Sequence, residues 1–280
     1  MTTTVDDRLR HVATKQPLVF DEIDFTIVDH DALRTTLAAP LEYAQRVEAA
    51  VVTSGIETLL PRRDRRIQEF LELWTEDEHG HARALGELML VLGIEPRPIG
   101  EAPLPLHNRV LGRVAAHSAS LHDMIATIWG VAGAMNEHLA MAAYTRIDAM
   151  LTARGERALH ETLFRRLRAH ESAHKSFYAA IATEHWPKLA PWQQRLVRQV
   201  VVRTYAPVGA GEARDRPAMA RTIHALAEDE WEASIVEPVQ AVADRLLELE
   251  PGTHPFVRRA FAKCLAADPV GREMLGFANA

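Results

Sequence analysis

The chain has 280 residues, of which 48% are hydrophobic and 25% charged, so it can bury a sizeable core in one large domain or two small ones. A formal net charge of −6 offers no basic footprint for nucleic acid, and a single cysteine, Cys264, excludes a disulfide framework and a cysteine-based zinc site. The first residues form no apolar signal segment, and no stretch reaches the ~18 apolar residues of a membrane span, so we expect a cytoplasmic protein.

Long segments with helical period predict an all-α protein, and the first two form a hairpin. Helix A is predicted over about residues 31–60, with a restart after Pro40 as the alternative to one continuous helix. Helix B follows an arginine-rich turn and runs to Leu92, where Gly93 is expected to stop it. We therefore predict that helices A and B are antiparallel neighbours.

A second predicted hairpin follows a long connection. Residues 93–105 contain four prolines and two glycines and predict a non-helical crossover. Helix C is predicted over about residues 118–151, and helix D continues from the break at Gly155 to His185. Further prolines divide the rest of the chain into shorter helices.

Two hairpins joined by one long crossover are typical of the ferritin-like four-helix bundle. We accordingly predict a single ferritin-like domain with three parts. Residues 1–30 form an N-terminal arm, residues 31–185 form the four-helix core, and residues 186–280 form a C-terminal helical extension.

The segment WTEDEHGH contains Glu-x-x-His in two overlapping registers, and helical periodicity distinguishes them. At about 100° per residue, Glu78 and His81 fall in the middle of the apolar stripe of helix B, whereas Glu76 and His79 fall on its polar face. A carboxylate on a buried stripe costs on the order of several kcal/mol unless it is paired or binds a metal. We therefore predict that Glu78 and His81 point inward and that the other pair is solvated.

Each of the other three predicted helices also places one glutamate on its apolar stripe. Helix A has Glu48 there, while its Glu57 falls on the opposite side among polar residues. Helix C has Glu137. Helix D has Glu171, followed three residues later by His174. Four buried carboxylates and two buried histidines are therefore expected.

The spacing of these glutamates places them at one level. The midpoint of Glu48 and Glu78 falls in the A–B turn, and that of Glu137 and Glu171 falls beside Gly155. Residues equally far from a hairpin turn lie side by side, so the four carboxylates should meet. This is the arrangement of ferritin-like dinuclear carboxylate proteins. The alternative is a helical bundle with internal Glu–His pairs and no metal.

Oxygen-rich ligation with two imidazoles leaves coordination positions open and suits two iron ions, with manganese possible, better than a closed zinc site. Ferrous ions so held can reduce O2 and enable attack on a strong C–H or N–H bond. Small residues near Glu137, including Gly130, Gly133 and Ala140, have two readings. They either leave a channel beside the metals or let the helices pack closely.

With these residues the chain resembles the soluble acyl-carrier-protein desaturases of plants and actinobacteria. WTEDEHGH matches their helix-B motif, Trp-Thr followed by Glu-x-x-His, and HESAH is similar to their helix-D motif, Asp-Glu-x-x-His. The likeness covers roughly residues 35–185. It implies that two irons are bound by Glu48, Glu78, His81, Glu137, Glu171 and His174.

The chain departs from that family at two positions. His170 stands where the family has Asp before the helix-D ligand, so the group that orients a ligand imidazole differs. Ala140 stands where the family has Thr, which removes a proton donor near bound O2. Both changes are compatible with a related oxygenase that acts on something other than a fatty acyl thioester.

The resemblance implies O2-dependent desaturation of an acyl chain on acyl carrier protein, with electrons from a ferredoxin or similar reductase, in a homodimer. Arginines in the A–B turn, including Arg65 and Arg66, offer a basic patch for the acidic carrier, although such runs are usually only solvated. A second basic group comprises Arg195, Arg198 and Arg203.

Two other functions remain open. One is oxygenation of a small molecule by an N-oxygenase or hydroxylase of secondary metabolism. Such enzymes often have a seventh metal ligand, which is a histidine. His170 lies about 100° from the centre of the stripe, which predicts a supporting role rather than ligation. The other is iron storage, which the long segment after His185 argues against.

Overall fold

The computed structural model describes residues 4–50, 63–96, 118–227 and 230–276. Over these ranges the chain is helical and contains no strand, which confirms the predicted all-α class. None of the helices in the described ranges combines the length and the apolar character that crossing a bilayer requires.

The helices are α1 Val5–Thr14, α2 His30–Ala49, α3 Arg65–Val91, α4 Ala119–Ala153, α5 Arg165–His185, α6 Pro191–Thr204, α7 Arg216–Ala227, α8 Glu237–Leu246, α9 Phe256–Leu265 and α10 Pro269–Met274. Helices α3, α4 and α5 correspond to the predicted helices B, C and D. A π-helical turn at His160–Phe164 leads into α5. The predicted part of helix A beyond residue 50, with Glu57, lies outside the described residues, and so do residues 97–117 of the crossover region.

Side-chain caps and glycines set the ends of the long helices. Asp29, Asp64 and Ser118 each accept a hydrogen bond from a backbone N–H in the first turn of α2, α3 and α4. Gly93 and Gly155, at φ 68° and 78°, follow the C-caps of α3 and α4. The amide after each glycine donates to the carbonyl five residues earlier, at 2.8 and 3.0 Å. The helix ends predicted at these glycines are confirmed.

Helix α2 runs without interruption through Pro40, so the restart considered for this position does not occur. Proline removes one backbone hydrogen bond and crowds the carbonyl four residues earlier, which disfavours an interior position. Here Pro40 and its neighbours Leu37 and Leu41 are all buried. Packing of this face therefore holds the helix together where local preference alone would break it.

The core is divided by a polar layer. One apolar cluster contains Phe70 of α3 and Phe177 of α5, and a second contains Leu85 of α3 and Leu167 of α5. The stretches of α3 and α5 between these clusters carry the predicted ligand residues. The site is consequently enclosed above and below by packed apolar side chains.

The predicted N-terminal arm contains a helix that covers this layer. Helix α1 packs on α5 and α3, and it buries Val5, Leu9 and Val12. The two residues after its C-terminal turn, Lys15 and Gln16, reach the polar layer. This segment is thus part of the core, because it closes one side of the polar layer.

The glycines near Glu137 serve close packing of α4 against α5. A Cβ on Gly130 would lie 2.7 Å from the carbonyl oxygen of Tyr178 and 2.8 Å from the backbone nitrogen of Ala182. A Cβ on Gly133 would lie 2.2 Å from the Tyr178 ring. Of the two readings of these small residues, helix packing applies at both glycines.

We expect Gly130→Ala to destabilise the protein by about 1–3 kcal/mol, because the new methyl group must push two helix backbones apart. Gly80→Ala is the matched control. Gly80 lies in α3 with nothing within 4 Å of an added Cβ, so alanine should raise stability by up to about 1 kcal/mol through helix propensity. Chemical denaturation of both variants measures the difference. Equal stability of the Gly130→Ala protein and the parent would contradict the backbone contact.

Candidate metal centre

The structure brings all six predicted ligand residues into one buried group. None is more than 7% exposed. They come from four helices: Glu48 from α2, Glu78 and His81 from α3, Glu137 from α4, and Glu171 and His174 from α5. The overlapping Glu-x-x-His pair, Glu76 and His79, is exposed to solvent, as predicted.

The six side chains form two overlapping sets of four. One set is Glu48, Glu78, His81 and Glu171, and the other is Glu78, Glu137, Glu171 and His174. Within each set, one ligand atom per residue lies within 4.8 Å of all the others. Glu78 and Glu171 belong to both sets, so the group could hold two metal ions that share these two carboxylates.

The shared carboxylates each present one oxygen to each imidazole. Glu171 Oε1 lies 3.1 Å from His81 Nδ1, and Glu171 Oε2 lies 3.7 Å from His174 Nδ1. Glu78 Oε2 lies 3.9 Å from His81 Nδ1, and Glu78 Oε1 lies 3.4 Å from His174 Nδ1. If two ions were bound, Glu78 and Glu171 would be the residues that contribute to holding both of them.

Many of these atoms have no hydrogen-bond partner. Glu78 Oε1, both oxygens of Glu171 and the Nδ1 atoms of His81 and His174 are buried, and although His81 Nδ1 lies 3.1 Å from Glu171 Oε1, none of these atoms has a partner with hydrogen-bond geometry. Leaving a buried polar atom unsatisfied costs about 1–3 kcal/mol. The unsatisfied atoms are those that face one another across the group, so they fit a bound cation. Four ionised carboxylates would also balance the charge of two divalent ions.

Hydrogen bonds determine which ring nitrogen of His81 is available to bind a metal ion. The backbone carbonyl of Gln16 can only accept, so His170 Nε2 donates to it at 2.8 Å. His170 Nδ1 then accepts from His81 Nε2 at 3.1 Å. Burial and the nearby His81 lower the pKa of His170 to about 4, which keeps it neutral. In a neutral His81, the lone pair is consequently on Nδ1, which faces the carboxylates.

His174 is held in the same way by a different partner. Its Nε2 donates to Asp77 Oδ2 at 2.8 Å, and Lys15 forms an ion pair with the same oxygen. Burial alone would raise the pKa of Asp77, but His174 and Lys15 lower it, so the group is a carboxylate. His174 thus also presents Nδ1 to the site.

Sequence reasoning missed Asp77, Lys15 and Gln16. A signal existed for Asp77, because it directly precedes Glu78 just as His170 directly precedes Glu171. Each of these preceding residues reaches across to the histidine on the opposite helix. No comparable pattern marks Lys15 or Gln16.

The two remaining glutamates are each held by one aromatic donor. The Tyr144 hydroxyl donates to Glu48 Oε1, and Trp74 Nε1 donates to Glu137 Oε1 at 3.1 Å. Trp74 belongs to the helix-B motif, whereas no sequence motif marks Tyr144. The other oxygen of each of these two carboxylates remains available to a bound metal ion.

Burial and mutual repulsion dominate the electrostatics of the group. Burial and neighbouring carboxylates raise the pKa values of Glu78 and Glu137 well above their usual range. Burial would lower the pKa of His81, but adjacent carboxylates raise it to about 10. For Glu171, the nearby imidazoles outweigh burial and lower the pKa. Metal binding would therefore displace protons from this group.

A narrow apolar cavity reaches the group from one side. It has a volume of about 60 Å³ and lies between α2, α4 and α7. Glu48 and Tyr144 are among its lining residues, and most of the others are apolar. Ala140 and Ala143 are among them, so small residues leave space here although the two glycines do not.

The chain matches no family model, no curated protein and no solved structure. The interpretation of the site therefore rests on its own geometry.

Proposed function

We propose that the protein is an O2-dependent non-haem di-iron oxidase whose helices α2–α5 form a ferritin-like core. The observation that carries this proposal is the pair of buried four-residue sets that share Glu78 and Glu171. Glu48 and His81 would complete the ligands of one ion, and Glu137 and His174 those of the other. The unsatisfied atoms between them support this assignment.

Four carboxylates and two imidazoles suit iron, with manganese as the alternative. The chemistry that such an iron pair supplies when bound is the two-electron reduction of O2 coupled to oxidation of a C–H bond. The chain's own part is to orient the ligands and exclude water. His170 and Asp77 orient the imidazoles, and the apolar clusters on both sides of the layer keep it dry.

The apolar lining of the cavity, with its volume of about 60 Å³, suits a short alkyl segment of a substrate. An alkyl chain in it would lie against Ala140 and Ala143 and point its near end at Glu48. This favours acyl-chain desaturation or hydroxylation over oxidation of a polar amine. His170 also uses both ring nitrogens in hydrogen bonds, so it does not offer the seventh ligand expected of an N-oxygenase.

Acyl carrier protein as the carrier has less support. In the A–B turn region, Arg66 is paired with Asp64 and Glu184. In the second basic group, Arg198 bonds a backbone carbonyl and lies over the Trp186 ring. These arginines stabilise the fold at least in part. The electron donor, a ferredoxin or a similar protein, and the homodimer stay predictions from the family resemblance.

The test is an aerobic reaction of iron-loaded protein with an electron source and saturated acyl chains, both free and bound to acyl carrier protein. Mass spectrometry of the chains distinguishes the outcomes. A loss of two mass units indicates desaturation, and a gain of sixteen indicates oxygenation. If the iron-loaded protein consumes O2 while the mass of the acyl chains is unchanged, only iron is oxidised. That result would overturn the proposal of an organic substrate.

A variant pair tests the cavity. Ala143→Leu should fill it and lower the turnover of long chains at least ~10-fold, because productive binding requires the reacting carbon close to the metals. Iron content should stay that of the parent. Ala149→Leu is the control, since Ala149 lies on the exposed side of α4. Equal turnover of the two variants would show that the substrate approaches by another route.

A further inference from the structure

Helix α6 presents two large apolar side chains to solvent, one helical turn apart. Trp192 is 58% exposed and Leu196 is 41% exposed. The other exposed large apolar residues of the described ranges, Val19, Val28 and Leu90, are well separated from one another along the chain. Single exposed apolar residues are normal on a protein surface, but an adjacent pair that includes tryptophan indicates a contact surface.

Helical periodicity aligns this pair with polar and basic residues. At about 100° per residue, positions 192, 195, 196, 199 and 203 fall within one sector of about 100° around α6. All five side chains are exposed, whereas Val197 and Val201 on the opposite side are buried. Helix α6 therefore packs on the core through one face, and no described residue covers the other. The outward residues form the α6 stripe: Trp192, Arg195, Leu196, Gln199 and Arg203.

The stripe is basic, although the chain as a whole has a net charge of −6. Residues 185–211 contain one lysine and three arginines and no aspartate or glutamate. Arg195 and Arg203 belong to the stripe itself. Arg198 lies beside the stripe, and its Nη2 atom is 3.8 Å from Glu248 Oε2. Exposed arginines around an exposed tryptophan complement an anionic surface.

Charge and size distinguish the possible occupants of the stripe. A second copy of α6 would place arginines against arginines, because the helix contains no acidic residue. The stripe covers about 17 Å of helix length and about 10 Å of helix width, which is on the order of 170 Å². Each partner of a stable protein complex contributes about 800 Å², several times more. A lipid surface requires no such minimum area, because each apolar side chain enters it separately.

We propose that the α6 stripe docks the protein on an anionic lipid surface. Trp192 and Leu196 enter the headgroup layer, and Arg195 and Arg203 contact lipid phosphates. Tryptophan favours the membrane–water interface, and arginine forms strong hydrogen bonds to phosphate. Helices that lie in a membrane interface combine apolar and cationic residues in this way.

Docking through α6 also brings the lipid surface close to the apolar cavity. Val208, which lines the cavity, follows Arg203 by five residues, or at most about 18 Å of chain. Tyr43, another lining residue, donates a hydrogen bond to the Val208 carbonyl. Delivery of an acyl chain from the lipid to the cavity rests on the proposed function. Lipid binding itself does not, because α6 contains none of the six candidate ligand residues.

Co-sedimentation of the full chain with lipid vesicles tests the proposal. One set of vesicles contains equal parts of phosphatidylcholine and phosphatidylglycerol, and the other contains phosphatidylcholine alone. The parent should pellet with the anionic vesicles, and added salt should weaken binding because it screens the attraction between arginine and phosphate. Binding should also shift the tryptophan emission to shorter wavelength. Trp192 is the source of this shift, since the other four tryptophans are at most 8% exposed.

Variants of the stripe separate its apolar and basic contributions. The double variant Arg195→Gln, Arg203→Gln should bind anionic vesicles at least ~10-fold more weakly, since each basic residue near such a surface is worth about 5-fold in affinity. Trp192→Ala should weaken binding and abolish the emission shift. Leu90→Ala and Arg259→Gln are the matched controls, because they change exposed residues on other helices. Circular dichroism establishes that each variant is folded.

Four results would overturn the proposal. The parent does not pellet with anionic vesicles, it pellets equally with phosphatidylcholine alone, or the stripe variants bind as the controls do. The fourth is binding to apo-acyl carrier protein that requires Trp192 and occurs in place of vesicle binding, because the stripe would then hold an acidic protein. Oxidation of free acyl chains by a protein that does not bind vesicles would refute lipid docking and leave the proposed function intact.

Discussion

Replacing Glu171 by alanine is expected to abolish binding of the metal pair at the proposed di-iron centre. Glu171 belongs to both four-residue sets and places one oxygen beside each histidine. Its loss should lower the affinity for both ions by more than about 100-fold. Even residues that only hydrogen-bond to a metal ligand change metal affinity by about 10–100-fold when they are replaced. Glu78→Ala should do the same, because Glu78 is shared in the same way. Iron per chain after anaerobic loading and desalting is the measurement.

Residues that belong to one set provide the contrast. Glu48→Ala and His81→Ala should each remove one ion and leave the other. Glu76→Ala should retain both, because this glutamate is exposed on the opposite face of α3 from Glu78. Loss of a single ion in Glu171→Ala would contradict the shared role and leave two independent mononuclear sites as the interpretation.

Asp77→Ala and His170→Ala are each expected to lower the affinity for one of the two ions by about 10–100-fold, and the ion affected differs between the two variants. Asp77 holds the Nε2 proton of His174, and His170 accepts that of His81. Without its acceptor, each imidazole can rotate or place its proton on Nδ1. Stepwise Fe²⁺ binding isotherms should therefore separate into one parental and one weakened step in each variant.

Double variants identify which ion is affected. Adding Asp77→Ala to His174→Ala should cause little further loss, because both changes act on the same ion. Adding it to His81→Ala should leave neither ion tightly bound. Lys15→Ala should have a smaller effect than Asp77→Ala, since Lys15 acts only through Asp77. Equal weakening of both ions by Asp77→Ala would show that it stabilises the layer in general rather than one histidine.

The polar layer also explains how the fold accommodates the site. Buried carboxylates repel one another, and the apolar clusters on either side supply the packing that holds them together. Donors at the periphery, Tyr144 and Trp74, fix one oxygen of each terminal glutamate. The remaining oxygens and nitrogens are left to face each other, which is the arrangement that a bound cation stabilises.

Much of this organisation was predictable because it follows from local periodicity. The positions of Glu78 and His81 on the apolar stripe of one helix depend only on the angle per residue. The ends of α3 and α4 depend on single residues, Gly93 and Gly155, whose left-handed conformation is a local property. Hairpin symmetry then brought residues from neighbouring helices to one level.

By itself, the sequence determined the all-α class, the inward register of helix B and the set of six converging side chains. Only the tertiary structure decided that Asp77 and His170 orient the histidines, that the N-terminal segment closes the layer, and that Gly130 serves packing. The physical reason is that helical periodicity is a local property of the chain. Contacts between helices depend on their distance, rotation and crossing angle, which packing of the whole core sets.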